Sequence, residues 1–197
     1  MRNIICISGT SRPENYTSKA LAVVVDELEK AGEKHSVFDA RDMKLAFPGQ
    51  DATDDAKKLL EAVSNASAVV LASPEYHGGI CANTKLIIEN LGFPSQLAGK
   101  PVACLGVAAG RIGAIKSLEQ LKSICSHIGA IVVPGSISIA GVRQVFDDEG
   151  NILDEGSENA LRGLAHSLTG FLNDFVCPKY ALEAMVREGA RPWATSV

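Results

Sequence analysis

The chain lacks several features that would fix a function class early. No apolar run approaches the roughly 20 residues that a bilayer-spanning helix needs; stretches such as Ala66 to Ala72, with Ser67 inside, are far too short. Basic residues are not in excess: 19 Lys and Arg stand against 23 Asp and Glu, a net charge of -4, and they are scattered. That leaves no electrostatic footprint for a nucleic-acid backbone. Met1-Arg2-Asn3 runs straight into apolar sequence without the parts of a secretion signal, so the expectation is a cytoplasmic protein with neither a membrane nor a nucleic-acid partner. Cysteine lacks any C-x-x-C pair, and the total of five is odd; free thiols are expected at Cys6, Cys81, Cys104, Cys125 and Cys177. The four histidines, His35, His77, His127 and His166, are too dispersed for H-E-x-x-H, so no metal centre is expected. G-x-S-x-G is missing, which excludes the nucleophile elbow of a hydrolase. Aromatics are only 5%, with a single Trp193 in the tail, and no repeat or linker interrupts the 197 residues.

What is present is ordinary globular material. With 46% hydrophobic and 21% charged residues the chain can bury a core unaided, and one domain over 1–197 is expected, with a core of about 3–176 and a tail of 177–197. Apolar runs predict strands at Ile4–Ile7, His35–Phe38, Ala66–Ser73 and Val102–Val107, and at Ala130–Val133 with a continuation through Ser136–Ile139. Helical spacing and caps predict helices over Ser18–Ala31, Thr53–Ser64, Thr84–Leu91, Ile115–Ile128 and Ser157–Val176. A small excursion or hairpin occupies Gln144–Leu153, and little pattern follows Cys177-Pro178. Strands alternating with helices predict an α/β fold, a doubly wound five-stranded parallel sheet of order 2-1-3-4-5 with helices on both faces. In that arrangement a ligand lies beyond the carboxyl ends of the strands, where the order reverses.

Three loops meet at that edge. Ser8 to Ser18 places five Ser and Thr hydroxyls, Tyr16 and Arg12 between a strand and a helix N-terminus, which is where an anion binds. It lacks the Walker lysine and the G-x-G-x-x-G fingerprint, so a terminal monophosphate fits it better than a triphosphate or dinucleotide. Pro74-Glu75-Tyr76-His77-Gly78-Gly79 offers an aromatic face and close backbone approach, which suits a flat heterocycle. Ala108 to Gly113 would close the other side with backbone N–H groups around Gly110 and Gly113. A bland reading stands beside each loop: caps and solvated charge for the first, ordinary turn residues for the others.

Together, Gly9-Thr10-Ser11-Arg12 with Thr17 and Ser18, Pro74-Glu75-Tyr76-His77-Gly78, and Ala108 to Gly113 resemble the NAD(P)H-dependent FMN reductase family of flavodoxin-like proteins. The resemblance covers about Ile4 to Val176. It implies FMN as cofactor, NADPH or NADH as hydride donor, and a small-molecule electron acceptor such as free flavin, a quinone, an azo compound or a metal oxyanion. It further implies that Thr10, Ser11, Arg12, Tyr16, Thr17 and Ser18 hold the phosphate end. Pro74, Glu75, Tyr76, His77 and Gly78 would lie along the ring, with Ala109, Gly110 and Arg111 at its other edge. No side-chain catalyst is implied, and ping-pong turnover is. The family's frequent Lys-Asn-x-x-Asp-Trp is Lys85-Leu86-Ile87-Ile88-Glu89-Asn90 here, without the aromatic. A homodimer or homotetramer is implied as well, with the helix Thr84–Leu91 as one candidate interface. The rival readings are a non-enzymatic flavodoxin-type electron carrier and a flavin-free regulatory domain.

Overall fold

A computed structural model describes residues 2–189, so Trp193 lies outside the described residues. In chain order the elements are β1 (Ile4–Ser8), α1 (Tyr16–Lys30), β2 (His35–Asp39), α2 (Asp54–Ser64), β3 (Ala68–Tyr76), β4 (Gly79–Ile80), α3 (Ala82–Glu89), β5 (Pro101–Val107), α4 (Ile115–His127), β6 (Ile131–Val132), β7 (Ile137–Ile139), α5 (Glu155–Phe171) and α6 (Cys177–Arg187). The sheet runs β2-β1-β3-β5-β6 with β7 also on β5, all of these parallel.

Residues on alternate sides of the strands feed two core layers, the consequence of period-two side-chain direction. Ile4 and Cys6 of β1 pack with Val24 and Leu28 of α1 and Leu161 and Leu168 of α5. Ile5 and Ile7 pack with Leu59 of α2, Ile87 of α3 and Leu121 of α4. Helices therefore cover both faces, and β1, buried along its whole length, reads as a continuous apolar run.

The sheet has seven strands, not five, for two local reasons. Pro134 has no N–H to donate and Gly135 sits at φ 87°, so the edge strand breaks into β6 and β7, which occupy successive stretches of β5. At the other end β3 continues past Ser73 to Tyr76 and folds back on β4 as an antiparallel hairpin. The turn residues His77 (φ 51°) and Gly78 (φ 74°) are both left-handed, the type I′ geometry that two-residue hairpins favour. The Gln144–Leu153 excursion closes through an antiparallel bridge between Phe146 and Ile152.

The C-terminal stretch is helical where the sequence shows little pattern. α5 passes through a π-turn at Leu172–Val176 directly into α6. Pro178 cannot donate to the carbonyl four residues earlier, and the wider turn lets the helix continue past it. No side chain of α6 is buried, which is why core periodicity gave no signal there. Among the described residues no helix is long and apolar enough to cross a membrane.

Candidate functional site

The carboxyl ends of β1, β3 and β5 open on a cleft of about 310 Å³, lined by Arg12, Glu14, Asn15, Tyr16, Thr17, Pro74, Glu75, Tyr76, Val107, Ala109, Val142 and Arg143. Its size lies at the lower end of small-molecule sites. Other surface depressions are larger: three lie against α6, the loop before α2 or the α3–α4 edge, away from the switch point between β1 and β3, and one of about 620 Å³ shares Glu14 and Asn15 with the cleft but runs along the outer side of α1 past Ser18, Lys19 and Arg162.

The first wall is the β1–α1 turn. Asn15 caps α1, its Oδ1 accepting from the Ser18 N–H at 2.7 Å, so the helix starts two residues before the position expected from Ser18. The N–H groups of Tyr16 and Thr17 precede the first intrahelical bond and donate to no carbonyl of the described residues. Thr17 is buried and its hydroxyl makes no hydrogen bond to another described residue. Arg12 is exposed and forms no ion pair among the described residues. These groups together form a set of uncommitted donors at the positive end of a helix dipole.

Thr10 lies just beneath. Its Oγ1 accepts from the Arg12 N–H at 3.3 Å and lies 3.3 Å from the Tyr76 hydroxyl, which ties the first loop to the hairpin. Ser11 is exposed beside it. Ser18 turns the other way: its hydroxyl donates to Asp39 Oδ2 at 2.7 Å and lies 2.8 Å from Ser8 Oγ. Burial pushes the Asp39 carboxyl up, but Arg41, through its guanidinium and its N–H, and Ser18 together hold it below the usual carboxylate range.

Gly9 seats this turn on the sheet. A Cβ there would stand 2.1 Å from Thr84 Oγ1 and 2.8 Å from the Ala72 carbonyl, so only glycine fits. Its carbonyl accepts from the Cys81 thiol at 2.7 Å and the Thr84 hydroxyl at 3.1 Å, and Thr84 also lies 3.0 Å from Ser73 Oγ. Cys81, which follows the glycine loop, is thus buried beneath the turn. Burial pushes the Cys6 thiol up to about 12, which keeps it protonated and inert.

The second wall is the β3–β4 hairpin, docked on α4. The Ser117 N–H donates to Glu75 Oε2 at 3.0 Å, so Glu75 supplies the carboxylate cap that Ala114 cannot. Gln120 Oε1 accepts from the Ile80 N–H at 2.9 Å. Pro74, Glu75 and Tyr76 line the cleft, whereas His77 and Gly78 sit exposed on the turn.

The third wall combines the loop after β5 with the 3-10 turn Val142–Gln144. Ala109 lines the cleft; Gly110 and Arg111 are exposed outside it. The Gly113 N–H expected to face a ligand donates instead to the Gly110 carbonyl at 3.2 Å. Val142 and Arg143 escaped the sequence reading, which placed no ligand contact after the last strand. The available signal was positional: Ala140-Gly141 follows a strand that also ends at the carboxyl edge.

The chain is 27% identical over 173 residues to an NADPH azoreductase of a Bacillus species, covering 86% of this chain and 92% of that protein. It is 26% identical over 159 residues to the NADH:(hydroxy)cinnamate reductase subunit CrdA of Vibrio ruber, covering 78% of each. Among solved structures, FerB, a flavoenzyme NAD(P)H:(acceptor) oxidoreductase from Paracoccus denitrificans, superposes with a TM-score of 0.73 at 20% identity, covering 88% of this chain and 98% of that one, a likeness of fold. The family model for NADPH-dependent FMN reductase matches residues 2–144, so the chain belongs to that family.

Proposed function

We propose that FMN binds in the cleft between the β1–α1 turn, the β3–β4 hairpin and the loop after β5, and that the chain is an NAD(P)H-dependent oxidoreductase working through it. The observation that carries this is the set of uncommitted phosphate donors, Arg12, the Tyr16 and Thr17 N–H groups and the Thr17 hydroxyl, opening into the same cleft as Pro74, Tyr76 and Ala109. A dianionic phosphate matches that donor set, and the apolar walls offered by Tyr16, Val107 and Val142 match the rest of a flavin mononucleotide. The electron chemistry belongs to the bound flavin, which takes two electrons from a nicotinamide and returns them to an acceptor. This chain's residues bind, orient and shield. Arg12 and the first turn of α1 hold the phosphate, and the exposed Ser11 stands at the rim of that pocket. Thr10 and Ser18 act beneath it: Thr10 joins the turn to Tyr76, and Ser18 fixes α1 to β2 through Asp39. Pro74, Glu75 and Tyr76 present one edge of the ring site, with His77 and Gly78 forming the turn behind it. Ala109 closes the opposite edge, and Gly110 and Arg111 stand at the mouth. No side chain is assigned as a catalytic acid or base.

The relatives named above support small-molecule acceptors such as azo compounds and conjugated acids. Arg12→Ala tests the phosphate assignment: FMN affinity falls about tenfold to a hundredfold while riboflavin affinity holds. Equal loss for both flavins contradicts it.

A cytoplasmic homodimer or homotetramer completes the reading. The helix expected to supply an interface buries Ile87, Ile88 and Leu91 in its own core. Exposed apolar side chains lie elsewhere, at Phe93 and Phe47 and along Phe175, Tyr180, Leu182, Met185 and Val186. Sedimentation of the FMN-loaded protein as a clean monomer contradicts the oligomer.

A further inference from the structure

The cleft contains two arginines, and a single terminal phosphate seated on a helix N-terminus accounts for one. We propose that Arg143 is a second residue of the cleft that recognises a phosphate monoester. Its ligand is the phosphate of FMN, or the additional phosphate that distinguishes NADPH from NADH. The inference rests on the FMN reading above.

Arg143 lines the same cleft as Arg12, Tyr16 and Thr17. Arg2, Arg41 and Arg162 each meet a carboxylate; the two cleft arginines, like the exposed Arg111 and Arg187 elsewhere, form no ion pair among the described residues. Neither cleft carboxylate pairs with them: Glu75 accepts from the Ser117 N–H on α4, and Glu14 forms no ion pair among the described residues. An unpaired guanidinium lining the cleft is a charge-assisted donor free to meet a phosphate dianion. The planar fork of arginine matches phosphate oxygens better than a lysine would.

The support under Arg143 is fixed. Gly141, left-handed at φ 55°, turns the chain after β7, and its N–H donates to the Gly110 carbonyl at 3.0 Å. The Val142 N–H donates to the Ala108 carbonyl at 3.1 Å, and the Val142, Val145 and Phe146 side chains are buried. Phe146 also packs on Tyr16, with ring centroids 6.4 Å apart, which joins this wall to the phosphate turn. The Arg143 side chain makes no hydrogen bond to another described residue and is exposed, so replacing it leaves the fold intact.

The test compares wild type, Arg143→Ala and Arg143→Lys in two arms: equilibrium binding of FMN and of riboflavin by flavin fluorescence quenching, and steady-state KM for NADPH and for NADH. If the phosphate belongs to the flavin, Arg143→Ala weakens FMN about tenfold to a hundredfold and leaves riboflavin unchanged. If it belongs to the nicotinamide donor, the KM for NADPH rises by that factor and that for NADH holds. Arg143→Lys keeps the charge without the fork and falls between in either case. A variant that binds FMN and uses NADPH as wild type does, or that weakens the phosphorylated and unphosphorylated members of a pair equally, overturns the proposal alone. Wild type that binds no FMN overturns the underlying reading as well.

Discussion

Gly9→Ala is the sharpest perturbation the site allows. The new methyl would sit 2.1 Å from Thr84 Oγ1 and 2.8 Å from the Ala72 carbonyl. The hydroxyl can swing aside, but doing so breaks its contacts with the Gly9 carbonyl at 3.1 Å and Ser73 Oγ at 3.0 Å, at a cost of about 1 kcal/mol each. The Ala72 carbonyl belongs to a central strand and cannot move without it, which adds overpacking of about 1–3 kcal/mol. The sum is about 3–5 kcal/mol, or roughly a 6–20 °C fall in melting temperature for a chain of this size. Urea unfolding measures it. Pairing the change with Thr84→Ala removes the worst overlap, so the double variant should be less damaged than the two single costs added together, by about 2 kcal/mol for the two contacts otherwise counted twice. Because the turn carries Arg12 and the first amides of α1, FMN affinity should fall in Gly9→Ala even where the protein remains folded. A variant within about 0.5 kcal/mol of wild type refutes the close approach of turn and helix on which the site is built.

Other expectations follow from the same contacts. Asp39→Asn should destabilise at neutral pH and lose its effect in acid: the folded carboxyl titrates below its ordinary range, so its contribution is present above the unfolded pKa and disappears as pH falls through the folded one. Unfolding curves of both proteins between neutral pH and pH about 3 check this, and a difference that grows on acidification contradicts it. Glu75→Ala leaves the first turn of α4 uncapped and should cost about 1 kcal/mol, with a larger loss than Glu75→Gln, which keeps an acceptor for the Ser117 N–H. Equal losses in the two variants would show that the carboxylate is not the cap.

The parts of the fold visible in the sequence were those fixed by burial. Ile4 to Ile7, Val69 to Leu71 and Val102 to Val107 are apolar because both faces of their strands are covered, and their shortness and flanking loops mark them as strands. The first loop was equally readable, since strand, hydroxyls and helix start are contiguous. Features that depend on distant partners were not. Glu75 could not be read as a cap before the hairpin was seen to dock on α4, and the Ser18 hydroxyl could not be assigned to Asp39 before β2 was placed beside β1. α6 stayed hidden because a helix without a buried face carries no core periodicity. Arg143 stayed hidden because its only distinction is the cleft it borders.

The most direct test of the account is anaerobic titration of the purified, FMN-loaded protein with NADPH and with NADH, followed by addition of a quinone. The account predicts that the flavin stays with the protein, that its absorption bleaches on reduction by at least one nicotinamide, and that the quinone restores it over repeated cycles. Protein that retains no FMN, or retains FMN that neither nicotinamide reduces, contradicts it; the second result would point to an electron carrier in place of a reductase.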